Sequence, residues 1–375
     1  MTLTLIETVA EMEAEDSPAA RYVAALTREG VRTFITNASS RTMLLRTKEG
    51  HAIPVTVDDY GYGRSYVASP HSAYVLYARE EMKLVGMQRG KRLAGAMIGL
   101  IDRGLRGAEI NRAVHIDNWL LSTNLHGNWE GADLPVIRHS LASRFPDHFL
   151  VLRSLDEWSC PNLLAAVRAD GWILLPARQI WVVDNLARDW RPRNDYANDR
   201  RALAQSGLTI EDAGRLNISD RERIAELYHM LYVGRYSALN PVFTERFVAL
   251  TQETGLAHYR LARSQDGVIM AVAGMIPRNG IMTPSIVGYD TSRPQREALY
   301  RIASFMFCDW AMKRGMKLHG SAGAGHFKRN RGANGVIEYM AIHAEHLTFK
   351  RRAVVRTLSH LLDRFVVPMM RREGW

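Results

Sequence analysis

Residues 258–289 hold the most restrictive pattern in the chain. Two apolar runs, 258–263 and 268–277, flank Gln265-Asp266-Gly267, a spacing that makes a tight β-hairpin. A third run of the same kind covers 282–289. A sheet built from these strands needs cover. Residues 296–314 supply it, with Leu299, Ile302, Phe305, Met306 and Trp310 near helical spacing and Gly315 as a stop. Before the hairpin stand a strand at 208–211, a helix from Ser219 to Tyr232 and a helix at 244–253. Glu222, three residues after Ser219, completes a capping-box pattern. After the long helix come a strand at 317–320, a glycine-rich turn, a strand at 335–342 and a basic helix at 349–371. The order is β-αα-βββ-α-β-turn-β-α, which is an α/β (α+β) architecture with a mixed central sheet.

The first half repeats this alternation less clearly. Residues 1–17 read as a frayed or loosely helical acidic lead. A helix is expected at 18–29, and strands at 32–36, 42–46 and 52–57. A turn follows at 60–63, then helices at 91–103 and 134–145. A strand at 149–153, a helix at 162–170 closed by Gly171, and a strand at 179–183 complete it. The polar stretch 184–207 reads as a linker that is mostly one exposed helix after Pro192. At 375 residues, two domains are expected: 18–190 and 191–375.

Charge separates the halves. Residues 1–200 hold 24 basic and 24 acidic side chains, whereas residues 201–375 hold 25 and 15. Within the second half, residues 301–375 hold 14 basic and 5 acidic. A local excess of this kind attracts polyanions such as RNA, or phosphate-bearing donors. The two cysteines, Cys160 and Cys308, have no partner at metal-ligand spacing, so neither a metal site nor a disulfide framework is expected. No apolar run reaches about 18 residues, so no membrane span is expected. The acidic start lacks the basic region of a secretory signal. These readings make a cytoplasmic location the default.

Three features of the second half resemble the GNAT (N-acetyltransferase) superfamily, and within it the Fem-type peptidyltransferases and related tandem-GNAT acyltransferases. They are the Arg- and Asn-rich linker with "DRRALAQSG" leading into "LTIEDAG", the hairpin-strand-helix block "AHYRLARSQDGVIMAVAGMIP" with "SIVGYDTSRPQREALYRIASFMFCDWAMKRGMK", and the turn "GSAGAGHFKRNRGA". The likeness covers about 184–345; residues 18–183 resemble a divergent first GNAT half. It implies two GNAT-like domains in tandem and an amide-forming transferase. In Fem-type enzymes an amine attacks the ester of an aminoacyl-tRNA. The lysine of the Phe-Lys turn steadies negative charge, and the aromatic beside it shapes the donor channel. Here those positions are Lys328 and Phe327.

The residues support such chemistry independently. Aminolysis passes through a tetrahedral oxyanion, and one positioned donor or cation there is worth roughly 10²–10³-fold in rate. Gly320, Gly323 and Gly325 let backbone approach a ligand closely, and Lys328 supplies the cation. Asp290, after Tyr289 at the end of a strand, is a candidate to take the amine's proton or hold its charge; the alternative is a turn cap. His326 is a candidate base or a plain turn residue. Tyr236, Asn240 and Glu338 are candidate acceptor-binding residues or ordinary packed groups. His115, Asp117, Asn124 and His126 read as structural.

Two donors stay open. In CoA-dependent relatives a glycine-containing turn cradles pyrophosphate at a helix N-terminus. The matching stretch here, 290–299, has no glycine, and Pro294 offers no N–H. Arg293, Arg296 and Arg301 remain able to hold phosphates. Arg329, Arg331, Lys350, Arg351, Arg352 and Arg356 suit the phosphate backbone of tRNA. The expectation favours aminoacyl-tRNA over acyl-CoA, no tightly bound cofactor, and a small-molecule amine as acceptor. A non-catalytic RNA-binding protein on the same scaffold is the alternative from another class.

Overall fold

A computed structural model describes residues 3–59, 61–84 and 91–373. Twelve strands among the described residues form one sheet. They are β1 (Thr4–Ile6), β2 (Arg41–Arg46), β3 (Ala52–Asp58), β4 (Ala113–Ile116), β5 (Phe149–Leu155), β6 (Ile173–Val183), β7 (Thr209–Asp212), β8 (His258–Arg263), β9 (Ile269–Arg278), β10 (Ile281–Tyr289), β11 (Lys317–His319) and β12 (Asn334–His343). The spatial order is β1-β2-β3-β4-β5-β12-β6-β11-β10-β9-β8-β7.

That order is a palindrome with one exchange. Strands β1–β5 run inward from one edge and β7–β11 from the other. Between them β6 and β12 trade places: β12 pairs with β5, and β6 pairs with β11. The two exchanged strands pair with each other from Asn334↔Val182 to Ile342↔Ile173. Every pairing is antiparallel except β4 with β5 and β10 with β11, which occupy matching places in the two halves. The chain is therefore an internal structural repeat whose halves are tied by main-chain hydrogen bonds. The expected division at 190/191 is crossed by both exchanged strands. The core is shared too: one apolar cluster joins Tyr22, Phe34 and Trp119 to Tyr228, Phe247 and Tyr259, with the Phe243 and Phe247 rings stacked at 4.0 Å.

Local chemistry explains most element boundaries. Ser17 caps Pro18–Glu29 by accepting from the Ala20 N–H, with proline in the first turn. Thr244 caps Glu245–Glu253 by accepting from Phe247 N–H. Four expectations need correction. Within 1–17, residues 4–6 form β1, which pairs with β2, and Thr8 caps a short helix Val9–Glu13. Residues 32–36 are not a strand: Val31–Phe34 is a helical turn that buries Val31 and Phe34. The helix before residue 232 starts on Asn217 rather than Ser219, since the Asn217 side chain takes the Asp220 N–H. The long helix begins at Leu299, because 295–297 form a 3₁₀ turn and Ala298 is left-handed at φ 54°. The turn at 60–63 includes Tyr60, which lies outside the described residues.

Candidate active site

The parallel pair β10 and β11 touches only at Ile281↔Lys317 and Met282↔Leu318. Beyond it β10 carries a bulge between Pro284 and Ile286 and parts from β11. The rest of β10 thus presents a backbone edge toward a wedge-shaped opening. The helix Leu299–Lys313 starts at the mouth of this wedge, and its first turn has N–H groups with no helical partner. A cleft of about 490 Å³ lies here, lined by Arg235, Tyr236, Tyr289, Asp290, Arg293, Tyr300, Arg301 and Phe327 among others. The Tyr300 and Phe327 rings are 4.7 Å apart, and Arg331 lies over Phe327 at 3.3 Å.

Lys328 comes next after Phe327, on the short helix Gly325–Arg329 that follows β11. Its Nζ donates to the carbonyls of Ala322 at 2.7 Å and Ser321 at 3.3 Å. An ammonium has three N–H donors, so one remains for a ligand. Protein surrounds the side chain, and loss of water plus the nearby Arg178 charge lower its pKa to about 7. Glycine matters at two points of this turn. A Cβ on Gly320 would sit 3.0 Å from the Trp181 carbonyl and 3.9 Å from Lys328 Cε. Gly323 is left-handed at φ 75°.

A polar seam leads from Lys328 into the first half. The Thr123 hydroxyl bonds the Ser321 hydroxyl at 3.1 Å. Arg178 donates to Thr123 Oγ1 at 3.0 Å and to Ser122 O at 2.6 Å. The same guanidinium holds Glu338 in a fork, at 2.7 and 3.1 Å. Burial alone would lower the Arg178 pKa, but Glu338 outweighs it and the pKa is raised. Glu338 lies on β12 and Arg178 on β6, so the strand exchange creates this pair.

Several expected site residues sit elsewhere or are engaged. Asp290 accepts from Ser292 through Oδ1 and from Arg223 through Oδ2 at 2.8 Å. Burial alone would raise its pKa, yet these bonds hold it below the usual range, so it is a turn cap at the cleft rim, carrying charge at neutral pH. His326 is exposed. Asn240 is buried and spends its amide on the carbonyls of Tyr232 and Ser237. Tyr236, Tyr289 and Phe327 do line the cleft, and Arg235 donates to the Tyr289 hydroxyl at 2.9 Å.

The cations divide as well. Arg293 pairs with Glu297 and Arg301 with Asp195 and Asp199, both at the cleft. Arg296 and Lys350 are exposed. Arg329 lies over Trp181. Arg331 is a correction to the RNA-binding expectation: it is buried in a fork with Asp199 at 2.6–3.0 Å. Arg351 is another, since it donates to the carbonyls of Ala108 and Asp147 and stacks on Phe149. Arg352 and Arg356 share Glu345. This C-terminal group borders the N-terminal end of β5, not the wedge. A shallow groove beside it, along Phe349, Arg352, Arg356 and His360, is open to solvent.

Asp117 and His126 do meet, at 2.8 Å, but the other His126 nitrogen is bonded to Arg153 O and Asp117 also holds Trp119. The polar atoms of that pair are thus taken up within the fold. Sequence reasoning missed Arg153, Arg178 and Tyr300. The readable signal was an arginine inside each of two apolar strands, "FLVLRSL" and "PARQIWVV". Among the described residues, no group of His, Cys, Asp or Glu can hold a metal, and no helix is long and apolar enough to cross a membrane.

No family model and no curated protein sequence matches this chain. Solved structures do. L-PGS from Bacillus licheniformis aligns with 94% of this chain and 98% of its own, at TM-score 0.53 and 10% identity. The C-terminal domain of a putative lysylphosphatidylglycerol synthetase from Agrobacterium fabrum aligns over 95% and 97%, at TM-score 0.51 and 12% identity. FemX aligns over 55% and 76%, at TM-score 0.41 and 8% identity, too low to weigh. The fold is the tandem GNAT-like fold, over nearly the whole chain.

Proposed function

We propose that this chain is an acyltransferase that moves an aminoacyl group from the ester of an aminoacyl-tRNA to the amine of a small acceptor. The observation that carries the reading is Lys328: a half-buried ammonium with one donor left after two carbonyl bonds, next to the cleft-lining Phe327 and following the strand that parts from β10. The amine nitrogen attacks the ester carbonyl carbon, a C–N bond forms, and the carbonyl oxygen takes the negative charge. Lys328 hydrogen-bonds that oxyanion in a site where water does not compete. The tetrahedral centre then collapses, the C–O bond to the ribose breaks, and the amine's proton leaves to the departing oxygen or to water. Near neutral pH the Lys328 population is divided, and an oxyanion beside it pulls its pKa back up.

Two findings support an aminoacyl donor. A neighbour matched along nearly its full length is named for a lysyl-transfer product. The wedge also lacks the glycine turn that would cradle pyrophosphate, and the amides of Arg293, Glu297 and Ala298 already bond to carbonyls within the turn. The donor's phosphates then meet Arg235, Arg293 and Arg301 at the cleft rather than the C-terminal helix. An acyl-CoA donor is the second reading, favoured by the helix N-terminus of Leu299–Lys313 opening on that same cleft.

The test offers the purified protein bulk tRNA charged with labelled amino acids and, separately, labelled acetyl-CoA, each with an extract of small metabolites. Label passing from tRNA to a small product, abolished by prior RNase, supports the proposal. Label passing only from acetyl-CoA replaces it with the second reading. Salt-sensitive RNA binding without transfer from either donor points to a non-catalytic scaffold.

A further inference from the structure

The seam does not end at Arg178. On the sheet face that carries Glu338, it continues across β5 and β4 to Arg153 and His115. Thr56, His115 and Val151 are opposite one another on β3, β4 and β5, and Arg153 is two residues beyond Val151 on that face. The strand order β4-β5-β12-β6-β11 therefore sets His115, Arg153, Glu338, Arg178 and the Lys328 turn in one transverse row. From the segment after β3, the Tyr66 ring packs against Arg153 at 6.0 Å and against the Tyr77 ring at 5.3 Å. Tyr74 donates to the Leu175 carbonyl at 3.1 Å, and both it and Lys328 are half-buried.

Two groups in this recess lack what burial demands. Arg153 is 6% exposed, yet among the described residues it meets no carboxylate. Its guanidinium reaches neutral oxygens, Leu121 O at 3.2 Å, Asn118 Oδ1 at 3.3 Å, Val67 O at 3.4 Å and Ser122 O at 3.5 Å, and lies 6.0 Å from the centre of the Tyr66 ring. The nearest acid across the row, Glu338, is already forked by Arg178. Desolvation lowers the Arg153 pKa to about 10, still charged at neutrality. His115 is fully buried, and among the described residues neither of its ring nitrogens has a hydrogen-bond partner. Burial and the Arg153 charge push its pKa down to about 3, so it stays neutral and keeps one N–H donor. Buried charges and donors left in this state are costly unless a ligand completes them.

We propose that this recess binds a carboxylate of the acceptor, with Arg153 as its counter-charge and His115 as a neutral donor. The inference rests on the acyl-transfer reading above and names the acceptor's class: a small amine that also carries a carboxylate. The charge inventory selects the anion. Arg178 and Glu338 cancel, which leaves one positive charge at Arg153. A guanidinium fork matches one carboxylate in both shape and charge. A phosphate monoester dianion would need a second cation, and Lys328 lies two strands further along the row from the Arg178–Glu338 pair's β12 partner.

The rival explanation is that Arg153 merely ties the loops at Val67 and Leu121–Ser122 together. Titrating the full chain with succinate, its neutral analogue succinamide and inorganic phosphate separates the two. Succinate is expected to bind saturably in the millimolar range and raise Tm by a few degrees at saturation. Succinamide is expected not to bind, and phosphate to bind at least tenfold more weakly than succinate. Arg153→Met is expected to keep or raise the unliganded Tm and to weaken succinate at least tenfold; Arg153→Lys keeps the charge and falls between. No succinate shift in the unmodified protein, an equal response to succinamide, tighter phosphate, or undiminished succinate binding in either variant overturns the proposal. The wild-type and Arg153→Lys arms decide it even where Arg153→Met does not fold. Transfer to a neutral amine as fast as to its carboxylated analogue also overturns it while leaving acyl transfer standing. Succinate binding without transfer from either donor removes the acyl-transfer reading instead.

Discussion

The two halves share a topology but treat the same joint in opposite ways. In the first half, β4 and β5 run in register from Ala113↔Phe149 to Ile116↔Leu152. The turn after β4 is then closed: Asp117 binds His126 and Trp119, and Asn118 reaches Thr56 and the Val67 carbonyl. The turn after β5 is closed by Asp156, which accepts from the Trp158 and Ser159 N–H groups. In the second half, β10 and β11 share two pairs and separate. The turn after β10 is exposed, and the turn after β11 holds a half-buried lysine whose pKa is lowered to about 7. The repeated topology has two such joints. Side-chain pairing fills one, and the other stays open.

The largest effect expected from breaking this comparison is structural and lies in the closed joint. His126→Ala leaves the Asp117 carboxylate buried without its partner, and stability should drop by about 3–5 kcal/mol in urea unfolding. Transfer per folded molecule should hardly change; a large fall would give the first joint a catalytic share. In the open joint the pattern should invert. Lys328→Met should lower kcat roughly 10²–10³-fold, about 3–4 kcal/mol of transition-state stabilisation, while Tm holds or rises. Unchanged turnover would remove Lys328 from the mechanism.

The packing behind the open joint gives a third, smaller effect. A Cβ on Gly288 would lie 2.5 Å from the Leu227 carbonyl carbon and 2.6 Å from the Tyr228 nitrogen. Both are backbone atoms that cannot swing aside. Gly288→Ala should cost about 1–3 kcal/mol of stability, measured by thermal unfolding. A neutral result would mean that the helix Ile218–Tyr228 rides loosely on β10.

The comparison can also be sharpened by pH. Lys328 has an ordinary pKa of 10.5 and a folded value of about 7. The unfolded chain therefore binds the proton more tightly between those values. Wild-type stability relative to Lys328→Met should rise as pH increases from about 7 to 10.5 and level off outside that window. For activity, the descending limb near pH 7 should move up by more than two units in Lys328→Arg, which stays charged. The smallest effect is expected at Lys350→Ala: within about 0.5 kcal/mol in stability, with donor affinity unchanged. A severalfold loss of donor affinity would return the C-terminal helix to the donor site.

Local elements were legible where local physics decides them. The hairpin of β8 and β9 follows from its Asp-Gly turn, and the Ser264 N–H and Val268 carbonyl close it as expected. Ser17 and Thr244 mark helix starts because a side-chain oxygen meets an N–H three residues on. Lys328 and Phe327 could be singled out because they follow a glycine-rich turn. β1 was not legible: three residues carry no period, and only β2 beside them makes them a strand. The function of the cations was not legible either. Arg331 and Arg301 look alike in sequence, yet Asp199, more than 100 positions earlier, buries one and leaves the other at the cleft.

By itself the sequence determined the inventory: an α/β chain in two similar halves, with a lysine at the end of a strand in the second. Tertiary structure alone decided the site. Exchange of β6 and β12 sets Arg178 against Glu338 and extends the row toward Arg153 and Lys328. These residues are scattered from position 153 to 338, and no local period links them. Strand partners are chosen by burying whole faces against each other, so which charges become neighbours, and which is left without a counter-charge, appears only once the sheet is assembled.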